Sequence, residues 1–183
     1  MGLNDTPSGE RVHVAFFGVR NAGKSSLVNA VTGQDLSIVS DVGGTTTDPV
    51  RKAMELLPLG PVLIIDTPGL DDEGALGALR VERTLRILAE TDAAVLAADA
   101  RRPLTEHDHR LLALLRERGI PFLVARTKAD LLRPEERPAP GRDELCVSAV
   151  TGENVEELKE RIAALARGAE HKKRLIADLL SPG

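Results

Sequence analysis

The chain has 183 residues, 42% of them hydrophobic and 28% charged, and a formal net charge of -4 at pH 7. A chain of that length forms one domain with a substantial core rather than two, and that composition excludes the disordered and collagen-like classes. The mild acidity argues against a nucleic-acid binder that works through a broad basic face, so no nucleic-acid partner is expected.

Residues 1–11 are a polar leader without the basic patch and apolar stretch of an export signal. Residues 12–17 are a short apolar run ending at Gly18, the pattern of a buried parallel strand entering a turn. Residues 24–31 predict a helix with Leu27, Val28 and Val31 on its apolar side and Gly33 as its stop. Residues 34–49 are polar, rich in Gly and Thr and without periodicity; so long a connection is expected to be a mobile functional loop. Residues 50–57 and 62–65, separated only by 58–61, predict an antiparallel hairpin at one sheet edge.

Residues 76–90 predict a helix with Val81, Leu85 and Leu88 on one face, and 93–98 another buried strand. A leucine-rich helix over 105–118, stopped by Gly119, precedes a strand over 121–125. Residues 133–142 read as a proline-rich surface loop and 145–147 as a last short strand. Asn154 and Glu157 have the spacing of a capping box before a helix over 155–166. Beyond it, a basic group at 171–174 precedes Leu175, Ile176, Leu179 and Leu180, either a last helix packed on its own domain or a linker. Strands alternating with helices imply a mostly parallel α/β sheet, covered on both faces, with one antiparallel edge strand and ligands at the strand C-terminal ends.

Gly18-Val19-Arg20-Asn21-Ala22-Gly23-Lys24-Ser25 satisfies the phosphate-loop pattern, and it lies between a predicted strand and a predicted helix, as the pattern requires. Glycines let the backbone wrap a polyphosphate so that successive amides face anionic oxygen, and the helix N-terminus adds partial positive charge. The expected phosphate-binding set is Asn21, Ala22, Gly23, Lys24, Ser25 and Ser26, with Lys24 reaching the β- and γ-phosphates and Ser25 ligating magnesium. Asp66, followed by Thr67-Pro68-Gly69, suits an acid that holds magnesium through water while the Gly69 amide meets the γ-phosphate.

Thr127-Lys128-Ala129-Asp130 follows another strand, and here the base can be argued. A carboxylate at Asp130 accepts from N1–H and the exocyclic amine of guanine, a donor pair adenine lacks. The Lys128 stem can lie along the purine, and Ser148-Ala149 can add a backbone amide to guanine O6. Gly44-Thr45-Thr46-Thr47-Asp48 offers hydroxyls that complete magnesium coordination when a γ-phosphate is present. Thr46 is favoured, with Thr45 and Thr47 open. Lys24, Thr46 and Gly69 then form the catalytic set. Cys146 is the only cysteine, which excludes a disulfide framework and leaves no thiolate cluster for zinc or iron–sulfur. His107 and His109, two apart on a helix, point to different faces and read as surface residues. No apolar run reaches the ~20 residues of a membrane helix, so a cytoplasmic protein without membrane contact is expected.

In this order the five motifs resemble translation-factor-class GTPases of the TrmE-Era-EngA-EngB-septin type, over residues 12–167. The resemblance narrows on residues 3–7, on 21–48 with Thr32-Gly33-Gln34 and Ser40-Asp41-Val42, and on 49–56. With Leu59-Gly60-Pro61 and Asp71-Asp72-Glu73-Gly74, these resemble the HydF family of di-iron hydrogenase maturation GTPases.

That resemblance implies a P-loop NTPase G domain over 12–168, binding GTP or GDP with Mg2+ and hydrolysing GTP slowly as a switch in di-iron subcluster maturation. Dimerisation and iron–sulfur domains follow the G domain in the family, so 169–183 is expected to be a C-terminal helix or linker stump and no iron–sulfur cluster to reside here. Radical-SAM hydrogenase maturases and the apo-hydrogenase are the implied partners of the full-length protein, and a homodimer is compatible with it. Asn21 stands where potassium-stimulated members hold K+, the alternative being a turn stabiliser. Leu70 stands where Ras-like enzymes carry a water-orienting glutamine, which implies slow unaided turnover, and Thr127 stands where many relatives have asparagine. Two other readings share the nucleotide chemistry: an interaction module with little turnover, and a ribosome- or tRNA-linked GTPase.

Overall fold

The computed structural model describes residues 11–33, 49–56, 60–67, 77–139 and 141–180. Six strands, β1 (Val12–Phe17), β2 (Val50–Leu56), β3 (Gly60–Asp66), β4 (Ala93–Asp99), β5 (Phe122–Thr127) and β6 (Glu144–Cys146), form one sheet in the order β2-β3-β1-β4-β5-β6. Every pairing is parallel except that of β2, which runs antiparallel to β3 at the edge, with Leu56 opposite Gly60. The apolar runs seen in sequence are the strands buried on both faces, β1 and β4 above all.

Side chains alternate across a strand, so β1 feeds two cores. Val12, Val14 and Phe16 meet Leu27, Val28 and Val31 of α1 (Lys24–Thr32) and Leu158 and Ile162 of α4 (Val155–Leu180). Ala15 and Phe17 face the other way, toward Ile87 and Leu88 of α2 (Gly77–Ala89) and Leu111, Leu112 and Leu115 of α3 (Glu106–Glu117). Each fully buried Leu, Ile or Phe contributes ~1.5–3 kcal/mol of transfer free energy. The α/β expectation, with helices on both faces and one antiparallel edge strand, is met.

Local sequence explains the helix ends. Gly33 closes α1 in the left-handed region (φ 68), its amide reaching the Asn29 carbonyl. Thr105 caps α3, taking the Asp108 amide on its hydroxyl while the Asp108 carboxylate takes the Thr105 amide. Losing such a cap costs ~1 kcal/mol.

Four expectations need correction. Val81 is exposed, and the buried stripe of α2 is Thr84, Ile87 and Leu88. The helix predicted to end at 166 continues unbroken to Leu180, because Gly168 alone does not outweigh a run of good helix formers. No capping box starts α4: Asn154 is left-handed (φ 59) and donates its side-chain amide to the Cys146 carbonyl, while Glu157 pairs with Arg161. The loop over 133–142 contains a 3-10 turn, Pro134–Glu136, started by its proline.

Candidate nucleotide site

The phosphate loop leaves β1 with β3 on one side and β4 on the other, at the C-terminal edge of the sheet. Gly18 passes so near β4 that a Cβ there would lie 3.0 Å from the Ala97 carbonyl oxygen. Asn21 (φ 66) and Gly23 (φ 82) are both left-handed, and the Ala22 amide closes the turn on the Val19 carbonyl at 3.1 Å. The first α1 bond runs from the Leu27 amide to the Gly23 carbonyl at 3.0 Å, and Gly23 offers no side-chain cap. First-turn amides without a cap, at the positive end of a helix dipole, form an anion site.

Lys24, the first residue of α1, forms an ion pair with Asp66, the last residue of β3, and both side chains are nearly buried. Asp66 stands opposite Phe16 in the sheet, which aims its carboxylate at the loop that follows β1. Thr67 fixes this junction by donating its hydroxyl (2.7 Å) and its amide (3.3 Å) to the Phe16 carbonyl. Ser25 is half-buried beside Lys24 and Ser26 is exposed.

The other end of the site forms where β5 and β6 finish. Thr127 donates its hydroxyl to the Ala22 carbonyl, and Lys128 (φ 61) donates its ammonium to the Asn21 carbonyl at 2.7 Å. The base motif and the phosphate loop are thus directly bonded. Asp130 is exposed on a 3-10 turn (Ala129–Leu131), and buried Ser148 donates to its Oδ1 at 2.8 Å. The Ala129 amide reaches the Val147 carbonyl at 3.1 Å, holding the two loops together. The Ser148 amide is taken by the Glu153 carbonyl (3.0 Å), so of the Ser148-Ala149 pair only Ala149 has an amide left to offer a base.

The expected residues Asn21, Ala22, Gly23, Lys24, Ser25, Ser26, Asp66, Thr127, Lys128, Asp130, Ser148 and Ala149 therefore share one edge of the sheet. Thr45, Thr46 and Gly69 lie outside the described residues, as do Thr47, Leu70 and the acids 71–73. His107 and His109 are exposed on α3. Cys146 is half-buried in β6, and burial pushes its thiol pKa up, away from the reactive thiolate.

Sequence reasoning missed four residues here. Asp99 ends β4 as Asp66 ends β3; its carboxylate takes two bonds from the Arg101 side chain and lies 3.6 Å from Lys128. Arg126, buried in β5, donates to the Asp99 and Arg102 carbonyls. The signal was an aspartate closing an apolar run, the same signal that singled out Asp66. Arg137 and Glu153, sixteen residues apart, form an ion pair that braces the loop after β6; nothing local marks it.

An anion loop at one end and a paired, carboxylate-bearing turn at the other, on a sheet of this order, define the G domain of a P-loop GTPase. The chain belongs to the 50S ribosome-binding GTPase family, whose profile matches residues 13–128. It is 35% identical over 158 residues to the tRNA modification GTPase MnmE of Bordetella petrii, covering 86% of this chain and 34% of that protein. GTPase Der of Wolinella succinogenes is 32% identical over 174 residues, covering 87% of this chain and 36% of that one. The chain thus spans about a third of the length of the curated relatives it matches.

Among solved structures, the G domain of the T. maritima FeoB iron transporter superposes with a TM-score of 0.60 at 29% identity, covering 85% of this chain and 99% of that one. Aquifex aeolicus Era bound to GDP.AlF4- gives a TM-score of 0.70 at 24% identity over 84% of this chain and 56% of that one, a likeness of fold. The curated relatives are named for tRNA modification and as Der, so they do not support the finer HydF identification. No described helix is long and apolar enough to cross a membrane.

Proposed function

We propose that this chain binds GTP and GDP at the edge just described and hydrolyses GTP slowly in the presence of magnesium, its nucleotide state acting as a switch. One observation carries the reading: the candidate phosphate loop and the candidate guanine-reading turn are bonded to each other through Thr127 and Lys128. A polyphosphate and its base then sit on one pre-organised unit. Lys24 leaves Asp66 to meet the β- and γ-phosphates, Asp130 accepts from guanine, and the Ala149 amide meets O6.

The Ser25 hydroxyl and the Asp66 carboxylate are hard oxygen donors brought to the same mouth, a donor set that fits magnesium. When bound there, the ion supplies positive charge to the phosphates. Thr46 and Gly69 keep their proposed roles as switch ligand and γ-phosphate donor. Asn21 is proposed as a K+ ligand through its side chain, since its carbonyl is already engaged by Lys128.

For the partner system, the names of the curated relatives favour the tRNA- or ribosome-linked reading over hydrogenase maturation. The hydrogenase-maturation reading keeps one specific support, the residues over 3–7, 21–56, 59–61 and 71–74 that resemble HydF. The nucleotide proposal is tested by following phosphate release from GTP with magnesium, in potassium and then in sodium. Turnover that stops with a chelator and falls in sodium, with Asn21→Ala insensitive to the exchange, is expected. Equal rates in both salts would remove the potassium site, and hydrolysis unaffected by chelation would overturn the magnesium reading.

A further inference from the structure

We propose that Asp99 is a positioning residue of the nucleotide site, its carboxylate holding the Lys128 ammonium where it ties the base motif to the phosphate loop. The inference rests on the nucleotide reading above and adds to it a residue outside the motifs. Asp99 closes β4 with its side chain only 11% exposed, directly beside the β5 end that launches Thr127 and Lys128. Its Oδ1 accepts the Arg101 amide at 2.9 Å and Nε at 3.0 Å; its Oδ2 accepts Arg101 Nη2 at 2.8 Å and lies 3.6 Å from Lys128 Nζ. The same Nζ donates to the Asn21 carbonyl at 2.7 Å. One ammonium is therefore shared between the end of β4 and the phosphate loop.

The backbone around this acid is fastened as firmly as the carboxylate. The Ala100 amide reaches the Thr127 carbonyl at 2.8 Å, and buried Arg126 grips the carbonyls of Asp99 and Arg102. A lysine side chain loses substantial rotamer freedom when it is held in one place, and a fixed, mostly buried negative charge beside it offsets that loss. The Arg101 guanidinium keeps Asp99 ionised, holding its carboxyl well below the ordinary carboxylate range against the opposing effect of burial. Lys128 is thereby set in its left-handed turn with its stem pre-placed, and the conformation of Asn21 is tied to the base side of the site.

A purely local role, bracing the turn over 99–101 through the Arg101 amide, is the competing explanation. Asp99→Asn separates the two, because the carboxamide oxygen still accepts that amide while the charge facing Lys128 is gone. The experiment measures GDP affinity by calorimetry, and KM and kcat for GTP, on the full chain carrying Asp99→Asn, Lys128→Ala, both together, or Asp99→Glu. Asp99→Asn is expected to weaken GDP about three- to tenfold and to raise KM while kcat does not follow. Asp99→Glu should recover part of the affinity, and Asp99→Asn should add nothing once Lys128 is alanine. An equal loss with and without Lys128, or no loss at all, overturns the inference while leaving the site intact. Failure of the unaltered chain to bind GDP overturns the nucleotide reading and this inference with it.

Discussion

Ser148 donates its hydroxyl to Asp130 Oδ1 at 2.8 Å, although the two lie eighteen residues apart on separate loops. A carboxylate held in this way keeps its remaining lone pairs turned outward, toward where a base would lie. The same hydroxyl accepts the Thr151 amide at 3.1 Å, so Ser148 both braces its own loop and orients its neighbour. Ser148→Ala removes one net hydrogen bond and leaves that amide without its acceptor; a three- to tenfold rise in the Kd for GDP is expected, from ~1 kcal/mol. Calorimetry checks it, and unchanged affinity would detach Ser148 from the base site.

The Lys24–Asp66 pair makes a second point. The Lys24 ammonium, proposed above to meet the phosphates, is paired with the acid at the end of β3. Lys24→Met keeps the aliphatic stem and removes the charge, so the lost contact is a charged hydrogen bond to phosphate, of about 1.5–3 kcal/mol. The Kd for GDP is expected to rise about ten- to a hundredfold. A titration showing wild-type affinity in Lys24→Met would mean that the phosphates lie elsewhere.

Gly23 is a position where an added methyl group does harm. Its φ of 82 disfavours any L side chain, and a Cβ would come within 3.1 Å of the Thr127 hydroxyl that bonds Ala22. Left-handed strain of about 1–2 kcal/mol shifts the midpoint of a chain this size downward by roughly 2–8 °C. Gly23→Ala is therefore expected to melt earlier and to lose GDP binding. A thermal scan with wild-type midpoint and binding would show that this turn is not the cradle.

How much of this could be seen in the residues alone depended on whether the signal was local. The phosphate loop, Asp66 and the turn at 127–130 were legible because each joins an apolar strand to a loop whose chemistry sits within a few positions. The Asp99–Lys128 contact and the Arg137–Glu153 pair were not, since they are made by sheet order rather than by spacing. Asn154 shows the opposite error: its spacing to Glu157 fits a capping box, yet the nearby Cys146 carbonyl takes its side chain. Val81 was misplaced for a similar reason, because the stripe that α2 buries is defined by what it packs on, and Thr84 serves there as well as an aliphatic residue.

The depressed Asp99 pKa carries a pH signature. Unfolded, the group titrates at its ordinary value of 3.8; folded, the Arg101 guanidinium bonded to it holds it lower. Its contribution to stability is therefore fully present above the unfolded value and is lost as pH falls toward the folded one. The stability gap between the unaltered chain and Asp99→Asn is expected to stay constant from about pH 8 to 5 and to shrink below about pH 4. Denaturation midpoints measured across that range check it, and a gap that widens in acid would reverse the sign.

The most direct measurement is calorimetric titration of the intact chain, with magnesium, by GDP and by ADP under identical conditions. Saturable binding of GDP with ADP far weaker is expected, because the Asp130 carboxylate finds no donor pair on adenine. Comparable affinity for the two nucleotides, or none for GDP, would contradict it.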